Sequence, residues 1–474
     1  MTKYISIFSF LLLMLLTFSC SDEIMDEIDT DPNNPVDVPI SMLMSGCTAA
    51  TPYWVTGTDI AWYSSVFCEQ TAGAHGQMRD ADRRASLTNL SDNPWAFYLY
   101  PRLHPDLKII IEKGSEGGSE EGKWIDVGIA KILQAYTYLA STDTWGRIPC
   151  SEATLGAENR KPVYDTQESI YTRMLDQLEE AIADLQRDNI STTSGEDYIY
   201  GGDPGAWITA AYSLKARYLN RLSNINPTGS AADALEAASN GFASMADDFT
   251  FENWSNDLGH ENTWFQEENE RRHHAVSYTF YHLLDGLNDP RIPLFITQVN
   301  GEYVPALNGQ NEEDQAGVIY SRITDHVIYP TAPLPIMTFA ELKFVEAECH
   351  LRKASPDAAA ALTAYEEGLD AALAQAGVDS ASVVAYKAQP EVLPTDASNL
   401  TTDMIFGQKY IHLWPYGAVE AYAEWRRTGY PTMNNTFEVP RRFPYSQNEI
   451  AGNAENVPDV TLYNGVWWDD GTED

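Results

Sequence analysis

Several stretches of this 474-residue chain hold residue types able to do chemistry. Asp and Glu number 69, and glycoside hydrolysis needs only two carboxylates flanking the scissile bond. No spacing singles out such a pair. His273, His274 and His282 lack HExxH spacing, and no other ligand cluster accompanies them. GGSEEGK at 117–123 fits the first seven positions of a phosphate-binding loop. There Trp124 stands in place of Ser or Thr, two glutamates would repel phosphate, and a helical run precedes the segment instead of a strand. Asp29, Asp31 and Asn33 begin like a calcium loop, but Asn34 replaces its Gly and Ile40 its bidentate Glu. No GxSxG and no recognisable Cys/His pairing occurs. The expectation is a protein that is not an enzyme and has no cofactor, with bound calcium left open.

Cys20 is the residue with the most specific surroundings. Lys3 gives a positive start, and Ile5 to Phe18 is nearly all apolar. That run is shorter than the ~20 residues of a spanning helix, so 1–19 reads as a secretory signal peptide. Small Ser19 precedes the cysteine, as in a lipoprotein signal, although Thr17 stands where Leu is usual. Lipidation of Cys20 is the preferred reading, since several acyl chains anchor stably. A plain signal peptide with an incidental cysteine is the alternative. Cys47, Cys68, Cys150 and Cys349 form no CxxC, which leaves isolated buried thiols or one bridge such as Cys47 to Cys68.

The elements that must position any site follow from periodicity. Residues 20–38 are acidic, rich in Pro and Asn, and aperiodic: a tether. Residues 39–474 read as one domain. Tyr171, Leu175, Leu178, Ile182 and Leu185 share a helix face. So do Trp207, Ala211, Leu214 and Tyr218, and so do Leu235, Ala238, Phe242 and Met245. Met337, Ala340, Phe344, Ala347 and Leu351 make a stripe that faces Ala361, Leu362, Tyr365, Leu369 and Ala372. Ser355 is the expected cap of the second helix, with Pro356 at its first position. Ala361, Tyr365 and Gly368 mimic the small–aromatic–small pattern of a tetratricopeptide second helix. The other expected pairs are 124–140 with 166–187 and 205–224 with 231–246. The fold class is therefore all-α, with tetratricopeptide-like helix pairs and long irregular loop insertions at 247–273, 286–335 and beyond Pro431. Lys and Arg number 30, giving a net charge of −39, which repels phosphate backbones and excludes nucleic acid as a partner.

A series of phrases resembles the SusD/RagB-like lipoproteins, in particular their shorter branch. In order they are DPNNP (31–35), DTWGRIPCSEA (143–153), YDTQESIY (164–171), DPRIP (289–293), PLPIMTFAELKFVEAECHLR (333–352), QKYIHLWPYGAVEAYAEWRRTGYP (408–431) and RRFPYSQNE (441–449). Cys150 replaces a usual aromatic, and Phe443-Pro444-Tyr445 departs from the family's Tyr-Pro order. The resemblance implies a lipid-anchored protein on the outer face of the outer membrane. It also implies a SusC-type TonB-dependent transporter as partner and capture of a nutrient, most often an oligosaccharide and in some members a peptide. Ser21-Asp22-Glu23 resembles the acidic surface-export signal of Bacteroidetes-type lipoproteins. A tetratricopeptide-type adaptor that binds another protein is the alternative from a different class.

A sugar offers apolar C–H faces and a rim of hydroxyls, which flat aromatics and planar polar groups match. On that chemistry the ligand-binding candidates are Trp54, Trp62 and Tyr63 as platforms and Gln77, Arg79 and Asp80 as rim partners, with Trp264 from a second loop. Core or loop packing is the competing role for each aromatic. In WRRTGYP, Trp425 ends a helix, Gly429 can take the left-handed terminal conformation and Pro431 forbids continuation. Arg426 and Arg427 are expected to fork onto carboxylates inside the protein; ligand or transporter contact is the other role open to them. Glu341, Glu346 and Glu348 read as partners for arginine.

Overall fold

The computed structural model describes residues 37–190 and 195–472. Cys20, the signal peptide, nearly all of the tether and the start of the calcium-like segment lie outside the described residues. The architecture is helical, with only two short two-stranded antiparallel sheets among the described residues. The helices that bear on the site and its support are α1 (Ile40–Val55), α2 (Asp59–Phe67), α3 (Trp124–Trp145), α4 (Gln167–Leu185), α5 (Pro204–Arg221), α6 (Pro227–Ala238), α7 (Phe339–Arg352), α8 (Ala358–Gln375), α9 (Thr402–His412) and α10 (Ala418–Thr428). The strands are β1 (Thr71–Gly73), β2 (Phe249–Phe251), β3 (His274–Val276) and β4 (Leu334–Met337).

The three expected pairs are present as α3 with α4, α5 with α6, and α7 with α8. Each follows from its stripe. Thr166 caps α4 by accepting from the Ser169 amide, and Ile170, Tyr171, Met174, Leu178, Ile182 and Leu185 are buried. In the α7–α8 pair, a Cβ on Gly368 would stand 3.1 Å from Phe344 and 3.2 Å from the Ala340 carbonyl. A side chain there would require Phe344 or the Ala340 backbone to give way by a few tenths of an ångström, so glycine eases the close approach of these two helices.

Local details depart from the sequence expectations. The cap of α8 is Asp357, which accepts from the Ala360 amide, rather than Ser355. Asp357 stands immediately before the first helical residue and reaches the orphan amides that Ser355 is too early to meet. Phe242 and Met245 fall beyond the end of α6, and Met337 belongs to β4 rather than α7. All four body cysteines are buried and free, so no Cys47–Cys68 bridge exists. Gly429 ends α10 in the left-handed conformation as expected.

At the centre, charged side chains from five helices meet out of water. Arg221 on α5 donates to Glu420 and Glu424 on α10 at 2.5 Å each, and to Asp143 on α3 at 3.3 Å. Arg217 forks onto Glu341 on α7. Lys409 on α9 reaches Glu424 at 3.2 Å. Arg427 forks onto Glu348 at 2.6 Å and also holds Glu424. Burial opposes the charged forms of Glu348, Glu420 and Glu424, yet the neighbouring cations outweigh it and hold all three below the usual carboxylate range, Glu424 furthest. Glu346 instead pairs with Lys343 at 3.0 Å.

Arg426 does not meet a carboxylate. Its guanidinium donates to the carbonyls of Asp143 and Arg441 and lies 4.1 Å over the Tyr422 ring. Both arginines are buried, which rules out direct ligand or transporter contact from this arrangement. Trp468 pins the tail, donating its indole N–H to Asp143 at 2.7 Å.

Arg427→Ala removes the partner of two buried carboxylates and should cost about 3–5 kcal/mol. Urea unfolding at pH 7 measures it; a loss below about 1 kcal/mol would show that the network does not couple α7 to α10.

Candidate functional site

The last turn of α1 carries Tyr53 and Trp54. A tight reversal at Thr56–Thr58 sends the chain back into α2. There a Cβ on Gly57 would stand 2.6 Å from Thr263 Oγ1 and 2.7 Å from the Tyr53 carbonyl, so the turn depends on a bare backbone. Trp54 stacks on Tyr98, with ring centroids 3.2 Å apart and planes within 11°. Tyr98 belongs to a π-helical segment, Pro94–Leu103, that also presents Phe97, 56% exposed. Tyr53 meets Trp54 edge-on at 4.2 Å and leans toward Trp254 at 6.3 Å. Trp254 follows β2 and packs edge-on to Phe251. Tyr53, Trp54, Tyr98 and Trp254 are all half-buried. They form one continuous aromatic strip open to solvent.

A polar border adjoins this strip. Asp59 starts α2, and Trp62 follows it one turn later on the same helix face. Both are half-buried, and the Trp62 indole N–H has no partner. Asn93 donates to Asp59 at 3.1 Å. Burial raises the Asp59 carboxyl, while Asn93 and the nearby Arg271 oppose that shift. Next comes the short helix Gly76–Asp82, held against the β1–β3 pair. Gln77 and Asp80 are exposed there. Arg79 pairs with Glu313 at 3.1 Å, and His75 faces both Glu313 and His273.

The expected residues divide in two. Trp54, Trp62, Gln77, Arg79 and Asp80 lie at or near this surface. Tyr63 and Trp264 do not. Tyr63 is buried edge-on to Phe443. Trp264 is fully buried, with its indole aimed at the Thr56 carbonyl. Asn262 caps a helix at Thr263–Glu270, and that helix turns Trp264 inward. Sequence reading missed Phe97, Tyr98, Trp254, Asp59, Asn93 and Arg271. Aromatic density in NPWAFYLYP was the available signal for the first two.

Beneath the border sits a polar contact with a determinate proton arrangement. Ser65 donates its only hydroxyl proton to the Trp62 carbonyl, so it accepts from Thr71. Thr71 must then accept from His274 Nδ1 at 3.0 Å. The opposite nitrogen of His274, Nε2, faces Glu267 at 3.9 Å, too far for a direct hydrogen bond. Burial pushes His274 down to about 3, so its imidazole is neutral at pH 7, and burial with the neighbouring Glu268 charge raises the Glu267 carboxyl. Among the described residues no His, Cys, Asp or Glu group could hold a metal ion, and no helix is long and apolar enough to cross a membrane. The 117–123 loop is turn structure whose Glu120 pairs with Lys113 and Lys123. A separate cavity of about 650 Å³ opens within the helical body and is lined by none of the expected residues.

Histidine linkage has a definite sign here. A folded-state value near 3 lies below the ordinary 6.5, so the unfolded chain binds the proton first and stability falls as pH drops below 6.5. The stability of the wild type relative to His274→Gln should therefore shrink between pH 7 and pH 4 in urea titrations. A difference independent of pH would overturn the assignment.

A family model described as starch-binding associating with outer membrane, the SusD-like model, matches residues 35–446. Among solved structures, a SusD/RagB family protein from Bacteroides thetaiotaomicron is 26% identical, with TM-score 0.80, covering 92% of this chain and 100% of its own. A chitin-binding SusD homologue from Flavobacterium johnsoniae is 23% identical, with TM-score 0.76 and coverages of 90% and 98%. A SusD homologue from Bacteroides uniformis is 22% identical, with TM-score 0.74 and coverages of 90% and 99%. No curated protein matches the chain.

Proposed function

The chain belongs to the SusD-like family, and from that premise we propose that it captures an oligosaccharide at the cell surface without altering it. The observation that carries this reading is the solvent-facing strip around the Trp54–Tyr98 stack, bordered by Asp59, Asn93 and Arg271. A pyranose ring lies flat on an indole, gaining apolar contact at small entropic cost, and its hydroxyls meet the planar polar groups alongside. Gln77, Arg79 and Asp80 extend the rim toward His75.

The chitin-binding neighbour supports a glycan over a peptide as ligand. A peptide would ask for unpaired main-chain donors and acceptors, whereas the strip offers rings. In this reading 1–19 is removed, acylated Cys20 moors the protein to the outer membrane, 20–38 is the tether, and 39–474 is one binding domain. A SusC-type TonB-dependent transporter takes the ligand onward.

Glycan arrays followed by calorimetry test the reading. Trp54→Ala should weaken binding of the best glycan by about 2 kcal/mol, roughly 30-fold, as expected for a central aromatic anchor, with the unfolding midpoint little changed. An array with no signal, together with protein capture by the same sample, would favour the adaptor alternative.

A further inference from the structure

The 650 Å³ cavity is large enough for a small organic ligand, and none of the four rings of the aromatic strip lines it, although Thr56 and Glu252 of its wall stand two residues from Trp54 and Trp254. Its lining charges are unequally neutralised. In its floor, Arg217 is satisfied by Glu341, Arg291 by Asp289, Asp143 by Arg221, and Glu420 by Arg221 and Lys409. Toward the solvent side stand Asp248 and Glu252, and neither has a cationic partner among the described residues. Asp248 accepts one bond, from the Phe339 amide at 2.6 Å.

The walls beside these two acids are aromatic. Tyr198 and Tyr329 are exposed at 40% and 37% and mark the opening. Tyr200 lies deeper, held by its hydroxyl to the Asp247 carbonyl and stacked on Phe249. Of the histidines that line the cavity, His326 is tied to the Ala376 carbonyl and His412 to Thr338. The combination is a tyrosine-walled recess with carboxylates that lack a counter-charge.

We infer that this cavity binds a protonated primary amine carried on a small polar body, with the ammonium at Asp248, Glu252 adding negative charge along the same wall, and the body against Tyr198, Tyr200 and Tyr329. Ring faces attract a cation by their quadrupole, and a carboxylate removed from water strengthens the attraction. Asp247 and Glu341 add to the negative field around Asp248, and burial, the larger effect, pushes its carboxyl up to about 7, so a cation beside it would favour the charged form. Neutral sugars and anions gain nothing from that field. An amino sugar and a peptide terminus or lysine both supply the required group. The site is distinct from the surface strip, so it stands whether or not that strip binds glycans.

Calorimetry at pH 7 tests it with four probes: the glucosamine disaccharide, its N,N′-diacetylated form, a Lys-Gly-Gly tripeptide and its fully N-acetylated form. At least one free amine should bind ten-fold or more tightly than its acetylated partner, and which amine does so identifies the source. Asp248→Asn keeps the acceptor for Phe339 and should erase the preference, and Glu252→Gln, on an exposed residue that leaves folding intact, should reduce it. Equal binding of amine and acetylated forms, absence of binding by either amine, or an undiminished preference in both folded variants would overturn the inference.

Discussion

The buried charge network is the constraint on which the rest of the structure depends. Arg217, Arg221, Lys409 and Arg427 are surrounded by Asp143, Glu341, Glu348, Glu420 and Glu424, contributed by α3, α5, α7, α9 and α10. Removing several ions from water is costly, and the cost is recovered only when every partner sits at hydrogen-bonding distance. Sliding one helix by a turn would leave several charges unpaired. Apolar stripes alone tolerate many packings of similar depth. The charges reject most of them, and so fix how the helix pairs stand against α9 and α10.

A rigid body of this kind lets short irregular segments hold precise positions. Trp54 comes from a helix end, Tyr98 from a π-helical turn and Trp254 from a strand exit. They are brought together because α1 packs on the 94–103 segment and β2 pairs with β4. The loops need little flexibility of their own, and aromatic rings held before a ligand arrives lose little entropy when it binds. The strong negative charge has a complementary effect. A net charge of −39 makes copies of the protein repel one another, which opposes association through an open aromatic strip.

Helix pairing was legible in the sequence because its physical cause is local. The stripes in 166–187, 205–224 and 358–372 are written at helical spacing, and the charged partners of α10 sit in a phrase with a family likeness. The aromatic strip was not legible in full. Its members lie at positions 54, 98 and 254, and no local pattern joins them. Trp264 shows the same limit from the other side. HENTWFQEEN reads as a polar loop, but Asn262 caps a helix and buries the ring. Arg426 and Arg427 are adjacent and chemically alike, yet one meets carboxylates and the other meets carbonyls and rings. Helical rotation of about 100° per residue separates their surroundings, and sequence spacing cannot say what lies in each direction.

The strip and the internal cavity share their supporting backbone. Two residues past Trp54, Thr56 lines the cavity, and two residues before Trp254, Glu252 does the same. Each short segment therefore contributes a ring to the strip and a polar group to the cavity lining. The β2 segment and the end of α1 form the wall that the two compartments share. Its rigidity comes from the β2–β4 pairing and from the Gly57 reversal packed against Thr263. A substitution that loosens that wall would disturb both compartments together, whereas one confined to a projecting side chain would disturb only the side it faces.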